Sequence, residues 1–168
     1  VMHHEKVVKG DTFYIPTGRV HAIGSGVLLA EIQQTSDITY RIFDYNRVDA
    51  KTGELRDLHN DLAIDVIDFE CHDAYKTNYE TKTNASNKLV HSPYFTSNFI
   101  IVEGILQKNY ATLDSFVIYI CVDGSLELNH NNERYSLKKG ETILLPASIE
   151  AIELKSLSAQ SKLLEVYI

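Results

Sequence analysis

The feature that most constrains the fold is a corner motif that occurs twice in the chain. Residues 9–22 read KGDTFYIPTGRVHA, and residues 139–151 read KGETILLPASIEA. Gly10 aligns with Gly140 and Pro16 with Pro146, a constant offset of 130 positions. Glycine permits a positive φ and proline fixes φ, so each copy predicts a short strand that ends in a tight corner. The chain is therefore predicted to contain two copies of one β unit.

The two copies differ where the corner ends. Gly18 and His21 of the first copy correspond to Ser148 and Ala151 of the second. Imidazole is a common metal ligand and a methyl group is not. We therefore predict one working site, in the first copy, and one structural copy. No metal is expected in the second copy, and Ala151 is predicted to tolerate substitution.

Strand signals dominate the rest of the sequence. Short runs rich in β-branched and aromatic residues, bounded by turn residues, predict strands. The predicted strands are residues 12–15, 27–33, 39–44, 99–103, 116–122, 125–129, 142–145 and 162–168. Asp123-Gly124 predicts a hairpin with a type I′ turn, and further turns are expected at 129–132 and 138–140. Many short strands with frequent turns predict an all-β barrel or sandwich.

Residues 60–69 are the exception, since their apolar side chains recur at helical spacing behind an asparagine or aspartate cap. The predicted organisation is a first unit over residues 1–72, a polar linker over 73–90 and a second unit over 91–168. The second copy has strands before its corner, from residue 99 onward, whose counterparts in the first copy would precede residue 1. We expect that the sequence is a fragment of a longer protein. Self-association through the incomplete sheet is the alternative.

Composition excludes several classes of partner. The formal net charge is −7 and no basic run is present, which argues against a nucleic-acid surface. No apolar run reaches the ~20 residues of a membrane helix, so no membrane partner is expected. Cys71 and Cys121 each lie beside apolar segments and are predicted to be buried, reduced thiols, which indicates a cytoplasmic protein.

The pattern Gly10-x5-Pro16-x-Gly18-x2-His21 resembles the second signature motif of cupins, the double-stranded β-helix or jelly-roll proteins. Its continuation over residues 28–45 is LLAEIQQTSDITYRIFDY, and Arg47-Val48-Asp49 follows. This longer segment resembles the C-terminal half of the catalytic cupin in type I mannose-6-phosphate isomerases, more narrowly their short bacterial form. The resemblance runs from about residue 9 to residue 69, and the remainder is similar to that family's second cupin.

This resemblance implies a zinc-dependent isomerase acting on mannose 6-phosphate and fructose 6-phosphate. His21 matches the last metal ligand of the family, whereas the other ligands belong to a motif upstream of Gly10 and have no counterpart here. Arg41 matches the catalytic arginine of the Ser-Asp-x-x-x-Arg segment, and Glu31 matches an active-site carboxylate. The second cupin, over residues 91–168, is expected to bind no metal.

Isomerisation moves a proton between C1 and C2 of the sugar through a cis-enediol. A carboxylate can shuttle that proton and an arginine can stabilise the oxyanion. Arg19, at the mouth of the corner, is expected to bind substrate, and a solvated arginine is the alternative. For Glu31 the alternative is a salt bridge on an edge strand. For Arg41 it is an ion pair with Asp37 or Glu31.

With one metal ligand, the isolated chain is expected to be inactive. The competing hypothesis is a non-catalytic cupin that binds a sugar or another ligand. Three further aspartates, Asp44, Asp49 and Asp57, are predicted to be turn and cap residues. His59 lacks the spacing of a metal ligand.

Overall fold

The computed structural model describes residues 3–36 and 38–168. One short helix and nine strands occur in these residues, and all of the strands lie in the C-terminal half of the chain. In chain order the elements are α1 (Asn60–Ile64), β1 (Ser86–His91), β2 (Thr96–Val102), β3 (Ile105–Asn109), β4 (Val117–Asp123), β5 (Ser125–His130), β6 (Glu133–Lys138), β7 (Thr142–Leu145), β8 (Ala151–Ser156) and β9 (Ser161–Tyr167).

The strands form two antiparallel sheets. One has five strands in the order β1-β2-β9-β4-β7, and the other has four in the order β3-β8-β5-β6. The chain crosses from one sheet to the other at every connection except β1 to β2 and β5 to β6, as it does in a jelly roll. The all-β fold class predicted from the sequence is confirmed.

The two sheets bury one face each because their side chains alternate with a period of two. In β4 the side chains of Val117, Tyr119 and Cys121 are buried while the residues between them are partly exposed. Leu126 and Leu128 follow the same rule in β5. The inward residues of both sheets form one continuous hydrophobic core.

The strand predictions for this half are confirmed, with bounds that move by a few residues, as β2, β4, β5, β7 and β9. The turn predicted at 129–132 is also present: Asn131 and Asn132, at φ 48° and 67°, connect β5 to β6. The predicted Asp123-Gly124 hairpin is wrong, because β4 and β5 belong to different sheets. Only Gly124 of that pair has a positive φ, 74°, and it forms a corner between the sheets.

Residues 13–75 form a separate unit with little regular structure. The strands predicted at 12–15, 27–33 and 39–44 are absent, and α1 and an isolated bridge between Val48 and Leu55 are present instead. A strand is stable only beside a partner that satisfies its backbone N–H and C=O groups. No such partner strand occurs for these segments in the described part of the chain.

The predicted helix at 60–69 is shorter than expected and ends at Ile64. The chain leaves the helical path because the Asp68 N–H donates to the Gly18 carbonyl oxygen, at 2.9 Å, instead of to a carbonyl one turn back. His59 takes the N-cap position and makes no side-chain cap bond, so the predicted asparagine or aspartate cap is also wrong.

The boundaries between units differ from those predicted. The described residues up to Thr12 belong with Lys76–Ile168, to which they are joined by the Thr77 N–H and the Tyr79 hydroxyl. Strand β1 starts at Ser86, inside the segment predicted to be a linker. Cys121 is buried as predicted, but Cys71 is exposed, since it lies in the irregular unit outside the sandwich core. The described residues include no helix long and apolar enough to span a membrane.

Candidate functional site

The repeat that organises the sequence is present in the backbone. Asp11 N–H donates to Val8 O at 3.1 Å, and Glu141 N–H donates to Lys138 O at 2.9 Å, so the same turn precedes both copies. The corner itself also recurs. Arg19 N–H donates to Pro16 O at 3.2 Å, as Ile149 N–H does to Pro146 O at 2.9 Å. The two copies therefore share these two turns. The strand between the turns forms only in the second copy, as β7, and Gly18 has a positive φ that Ser148 does not share.

Glycine is required at the first corner. Gly18 has φ 91°, and a Cβ atom built on it would lie 2.5 Å from the Val66 carbonyl oxygen and 3.2 Å from the Asp68 nitrogen. The Asp68 nitrogen donates to the Gly18 carbonyl oxygen, so it cannot move away without disturbing that hydrogen bond. The segment after α1 therefore packs directly against the corner, three residues before His21.

His21 is oriented by the corner. Its Nδ1 lies 2.9 Å from the carbonyl oxygen of Arg19. Because a carbonyl oxygen only accepts, Nδ1 carries the proton and the Nε2 lone pair is left for another partner. Metal-binding histidines commonly donate one ring N–H to a backbone carbonyl in this way. The side chain is exposed, and its arrangement fits a metal ligand.

The rest of a metal site is not found in the described residues. No group of three or more histidine, cysteine, aspartate or glutamate side chains is arranged to hold a metal ion in residues 3–36 and 38–168. A catalytic zinc ion usually has three protein ligands. His21 therefore fits one position of a metal site, and the described residues do not supply the others.

Arg19 is anchored close to His21. Its guanidinium lies 3.9 Å from Asp68 Oδ2 and stacks 5.5 Å from the centre of the Tyr75 ring. The Arg19 side chain is only 22% exposed, so the alternative of a solvated arginine is wrong. An arginine held this way keeps part of its fork accessible to an anion.

Arg41 is held at both its backbone and its side chain. The backbone N–H donates to His59 Nδ1 at 3.0 Å, and the carbonyl oxygen accepts from the His59 N–H at 2.7 Å. The guanidinium Nη1 donates to the Asp57 carbonyl oxygen at 3.1 Å, and Nε lies 3.8 Å from Asp44 Oδ1. The alternative ion pair with Glu31 does not form, because Asp44 is the carboxylate beside Arg41. Asp37 lies outside the described residues.

Asp44, predicted to be a turn residue, is instead the centre of an arginine cluster. Its carboxylate is 6% exposed and accepts from Arg56 Nε at 2.6 Å and from Arg47 Nη2 at 2.5 Å. The Arg56 hydrogen bonds, followed by those of Arg47, lower the pKa of Asp44 against the effect of burial. Asp49 matches its predicted local role, since it accepts backbone N–H groups of its own turn.

Glu31 is exposed, and the described residues offer it neither a hydrogen bond nor an ion pair. The predicted edge-strand salt bridge is therefore wrong, since residues 27–33 form no strand. No hydrogen bond or ion pair links Glu31 to His21 or Arg41 in the part of the chain that the structure describes. The role of Glu31 as a proton shuttle stays a prediction.

The sandwich contains a polar cluster that the sequence analysis missed. Glu165 is 1% exposed and accepts from Lys108 Nζ at 2.7 Å and from the Tyr110 hydroxyl at 2.5 Å, both on Oε1. Its other oxygen accepts from Ser86 Oγ at 2.7 Å and Asn98 Nδ2 at 2.9 Å. The sequence carries a signal for it, because Glu165 lies two residues after Leu163 and so faces the same side of the strand as that apolar residue.

Glu165 is held as a carboxylate. Burial alone would raise its pKa, but the charge and hydrogen bond of Lys108, together with the hydrogen bonds of Tyr110 and Ser86, outweigh burial and lower the pKa below its usual value. Burial, with the neighbouring Glu165 charge, raises the pKa of Tyr110 and of Tyr119, so both phenols stay protonated. The cluster therefore places a charged carboxylate inside the sandwich, where hydrogen bonds and one ion pair compensate its burial.

At the second corner, Ala151 is exposed at the start of β8, and its carbonyl oxygen accepts from His130 Nδ1 at 2.9 Å. That bond involves only the backbone of Ala151. The expectation that Ala151 tolerates substitution therefore stands as a prediction.

Comparisons with known proteins bear on both halves of the chain. The family model described as mannose-6-phosphate isomerase, cupin domain, matches residues 85–167. The mannose-6-phosphate isomerase ManA of Bacillus subtilis is 33% identical over 159 residues, which cover 92% of this chain and 49% of that protein. The mannose-6-phosphate isomerase of Streptococcus mutans is 32% identical over 146 residues, covering 86% of this chain and 45% of that protein.

A solved structure agrees with these matches. The crystal structure of the mannose 6-phosphate isomerase from Bacillus subtilis superposes with a TM-score of 0.66 at 26% identity, covering 79% of this chain and 41% of that one. The chain spans about half the length of the curated relatives that it matches. The chain therefore belongs to the type I mannose-6-phosphate isomerases of the cupin superfamily and corresponds to the C-terminal portion of its relatives.

Proposed function

We propose that this chain is the C-terminal portion of a mannose-6-phosphate isomerase, which interconverts mannose 6-phosphate and fructose 6-phosphate. The observation that carries the proposal is the fixed guanidinium of Arg41. Two of its nitrogens are restrained by Asp57 O and Asp44, and its backbone is paired with His59. A site that must stabilise a developing oxyanion needs a donor held in place before the reaction begins.

The residues of this chain take separate roles in the reaction. A base removes the proton from C2 of the aldose, and its electron pair forms the C1–C2 double bond while the C1–O double bond opens and O1 takes a proton, which gives a cis-enediol. The O2 hydroxyl then loses its proton as the C2–O double bond forms, and a proton is delivered to C1 of the ketose. Glu31 is the carboxylate that we assign to proton transfer. Arg41 stabilises the oxyanion character of the enediolate, and Arg19 binds the substrate as an anion.

His21 is the residue of this chain that we assign to zinc, with the remaining ligands supplied by the polypeptide that precedes residue 1. Zinc, when bound, would orient the sugar oxygens and stabilise negative charge on them. The orientation of the His21 ring by Arg19 O supports this assignment. With one of the usual three protein ligands, the isolated chain is expected to be inactive. We place the enzyme in the cytoplasm, where sugar phosphates are available and thiols such as exposed Cys71 stay reduced.

The test compares this chain with the parent polypeptide, meaning the gene product that carries the chain together with the segment preceding it. Both are supplied with zinc and mannose 6-phosphate, and formation of fructose 6-phosphate is measured. We expect turnover by the parent and none by the chain alone. The parent with Arg41→Ala should lose at least about 100-fold in kcat, the usual cost of removing an oxyanion donor.

Absence of turnover by the wild-type parent would refute the isomerase proposal and favour a ligand-binding cupin. Zinc-dependent turnover by the chain alone would refute the assignment of the missing ligands to the upstream segment. Ala151→Ser is the matched control, since its site corresponds to His21 in the second copy, and it should leave turnover unchanged.

A further inference from the structure

We propose that Asp44 is a positioning residue for Arg41, acting through the charge balance of a three-arginine cluster. The catalytic effect of Asp44 rests on the isomerase function proposed above. Arg41, Arg47 and Arg56 converge on the one buried carboxylate of Asp44. Asp44 itself contacts no reacting atom; it holds the group that does.

The Asp44 carboxylate is shared among the three arginines. Arg56 donates from Nε to Oδ2 at 2.6 Å and from Nη2 to Oδ1, and Arg47 donates from Nη2 to Oδ1 at 2.5 Å. Arg41 is the third cation, and its Nε lies 3.8 Å from Oδ1, an ion-pair distance without a hydrogen bond. A guanidinium group keeps its charge at any pH that a folded protein tolerates, so the cluster always carries three positive charges around one negative charge.

This sharing controls where Arg41 can lie. Three guanidinium groups within a few ångströms repel one another, and the repulsion is strong where burial lowers the effective dielectric constant. Arg41 and Arg56 are 24% and 34% exposed, so water screens them only in part. A single negative charge between them offsets the repulsion. Without that charge, Arg41 is expected to move away from Arg47 and Arg56 and to lose its fixed direction.

The restraints also give the Arg41 guanidinium a direction. Asp44 restrains Nε, and the Asp57 carbonyl oxygen restrains Nη1 at 3.1 Å. In the described part of the chain, Nη2 makes no hydrogen bond. With Nε close to Asp44 and Nη1 bonded to the Asp57 carbonyl oxygen, Nη2 is the nitrogen left for an oxyanion of the substrate. A positional change of about 1 Å at such a group can cost about 100-fold in rate.

The experiment uses Asp44→Asn in the parent polypeptide, since asparagine keeps the shape and removes the charge. We expect kcat to fall about 10- to 100-fold while KM changes by less than about threefold. Asp49→Asn is the matched control. Asp49 accepts the Lys51 and Thr52 N–H groups of the neighbouring turn but does not contact Arg41, so kcat should change by less than about twofold.

A second measurement separates positioning from general support of the fold. Added guanidinium ion is expected to restore part of the turnover of Arg41→Ala, because Asp44 and Asp57 O are still present to hold it. In the double variant Arg41→Ala/Asp44→Asn this rescue should be lost. Rescue of equal size in both variants, or an Asp44→Asn parent with wild-type kcat, would overturn the proposal.

A third measurement does not depend on activity. In this chain, the hydrogen exchange of the Arg41 Nε–H, followed by NMR, is expected to accelerate at least about tenfold in Asp44→Asn and to stay within about twofold in Asp49→Asn. If the wild-type parent fails to isomerise the sugar, the isomerase proposal fails, and this measurement alone decides the role of Asp44. An unchanged exchange rate of the Arg41 Nε–H in Asp44→Asn would overturn the proposal that Asp44 positions Arg41.

Discussion

Lys108 is predicted to be essential to the stability of the sandwich, because it neutralises the buried Glu165. The ammonium lies 2.7 Å from Glu165 Oε1, with 15% of the lysine side chain and 1% of the glutamate exposed. In Lys108→Met the carboxylate loses its counter-ion but keeps the hydrogen bonds of Tyr110, Ser86 and Asn98. Removing one partner of a buried pair costs about 3–5 kcal/mol. The remaining donors place the expected loss near the lower end, about 3 kcal/mol.

The pH dependence of stability should reverse in the same variant. In the wild type the folded-state pKa of Glu165 is lowered. Its contribution is therefore present above the usual carboxylate pKa and is lost as the pH falls through the folded-state value. In Lys108→Met burial dominates and raises the pKa, so the folded state binds the extra proton. The free energy of unfolding should then increase as the pH falls from about 7 to about 5, by at most about 1.4 kcal/mol per pH unit.

The assay is urea unfolding at pH 7 and pH 5. Lys155→Met is the matched control, since Lys155 is an exposed strand residue, and it should change the free energy of unfolding by less than about 0.5 kcal/mol. The double variant Lys108→Met/Glu165→Gln removes both charges and should be more stable at pH 7 than Lys108→Met alone. A Lys108→Met protein within about 1 kcal/mol of wild type at both pH values would refute the reasoning.

Two further predictions concern the glycine corner and the thiols. Gly124→Ala should destabilise the sandwich by about 1–2 kcal/mol more than Gly140→Ala in urea unfolding. Both glycines have a positive φ, but only a Cβ at Gly124 would lie 2.7 Å from a backbone oxygen. Equal losses of stability in the two variants would contradict this. A thiol reagent at pH 8 should modify exposed Cys71 in the folded chain and reach Cys121 only on unfolding, because burial shields Cys121 and raises its pKa. Modification of both at one rate in the folded chain would show that Cys121 is accessible.

The sequence was most informative where local chemistry decides the structure. The β-branched and aromatic run at 116–122 predicts a strand and Cys121 is predicted to be buried; the structure has β4 there, with Val117, Tyr119 and Cys121 buried. Gly18 and Pro16 predict a corner, which forms with the Arg19–Pro16 hydrogen bond. These features depend on one residue's backbone preference or on a period of two, both of which can be read without knowing the neighbouring strands.

The sequence was less informative where a long-range partner decides. Residues 27–33 have the composition of a strand but no partner strand in the described part of the chain. The strand predicted there from composition is therefore wrong. The Asp123-Gly124 turn was predicted as a hairpin, although its strands separate into two sheets. Asp44 was predicted to be a turn residue. The positions of Arg47 and Arg56 in the sequence do not indicate that their side chains bind its carboxylate. Such contacts depend on how loops fold together, which no short window of sequence encodes.

The most direct test of the central claim follows the hydrogen at C2 of the substrate. The parent polypeptide, loaded with zinc, is incubated with mannose 6-phosphate deuterated at C2, and the products are analysed by NMR. Isomerisation through a cis-enediol predicts fructose 6-phosphate with deuterium lost from C2, part of it at C1 and part exchanged into water. Deuterium that remains entirely at C2, with no fructose 6-phosphate formed, would contradict the account.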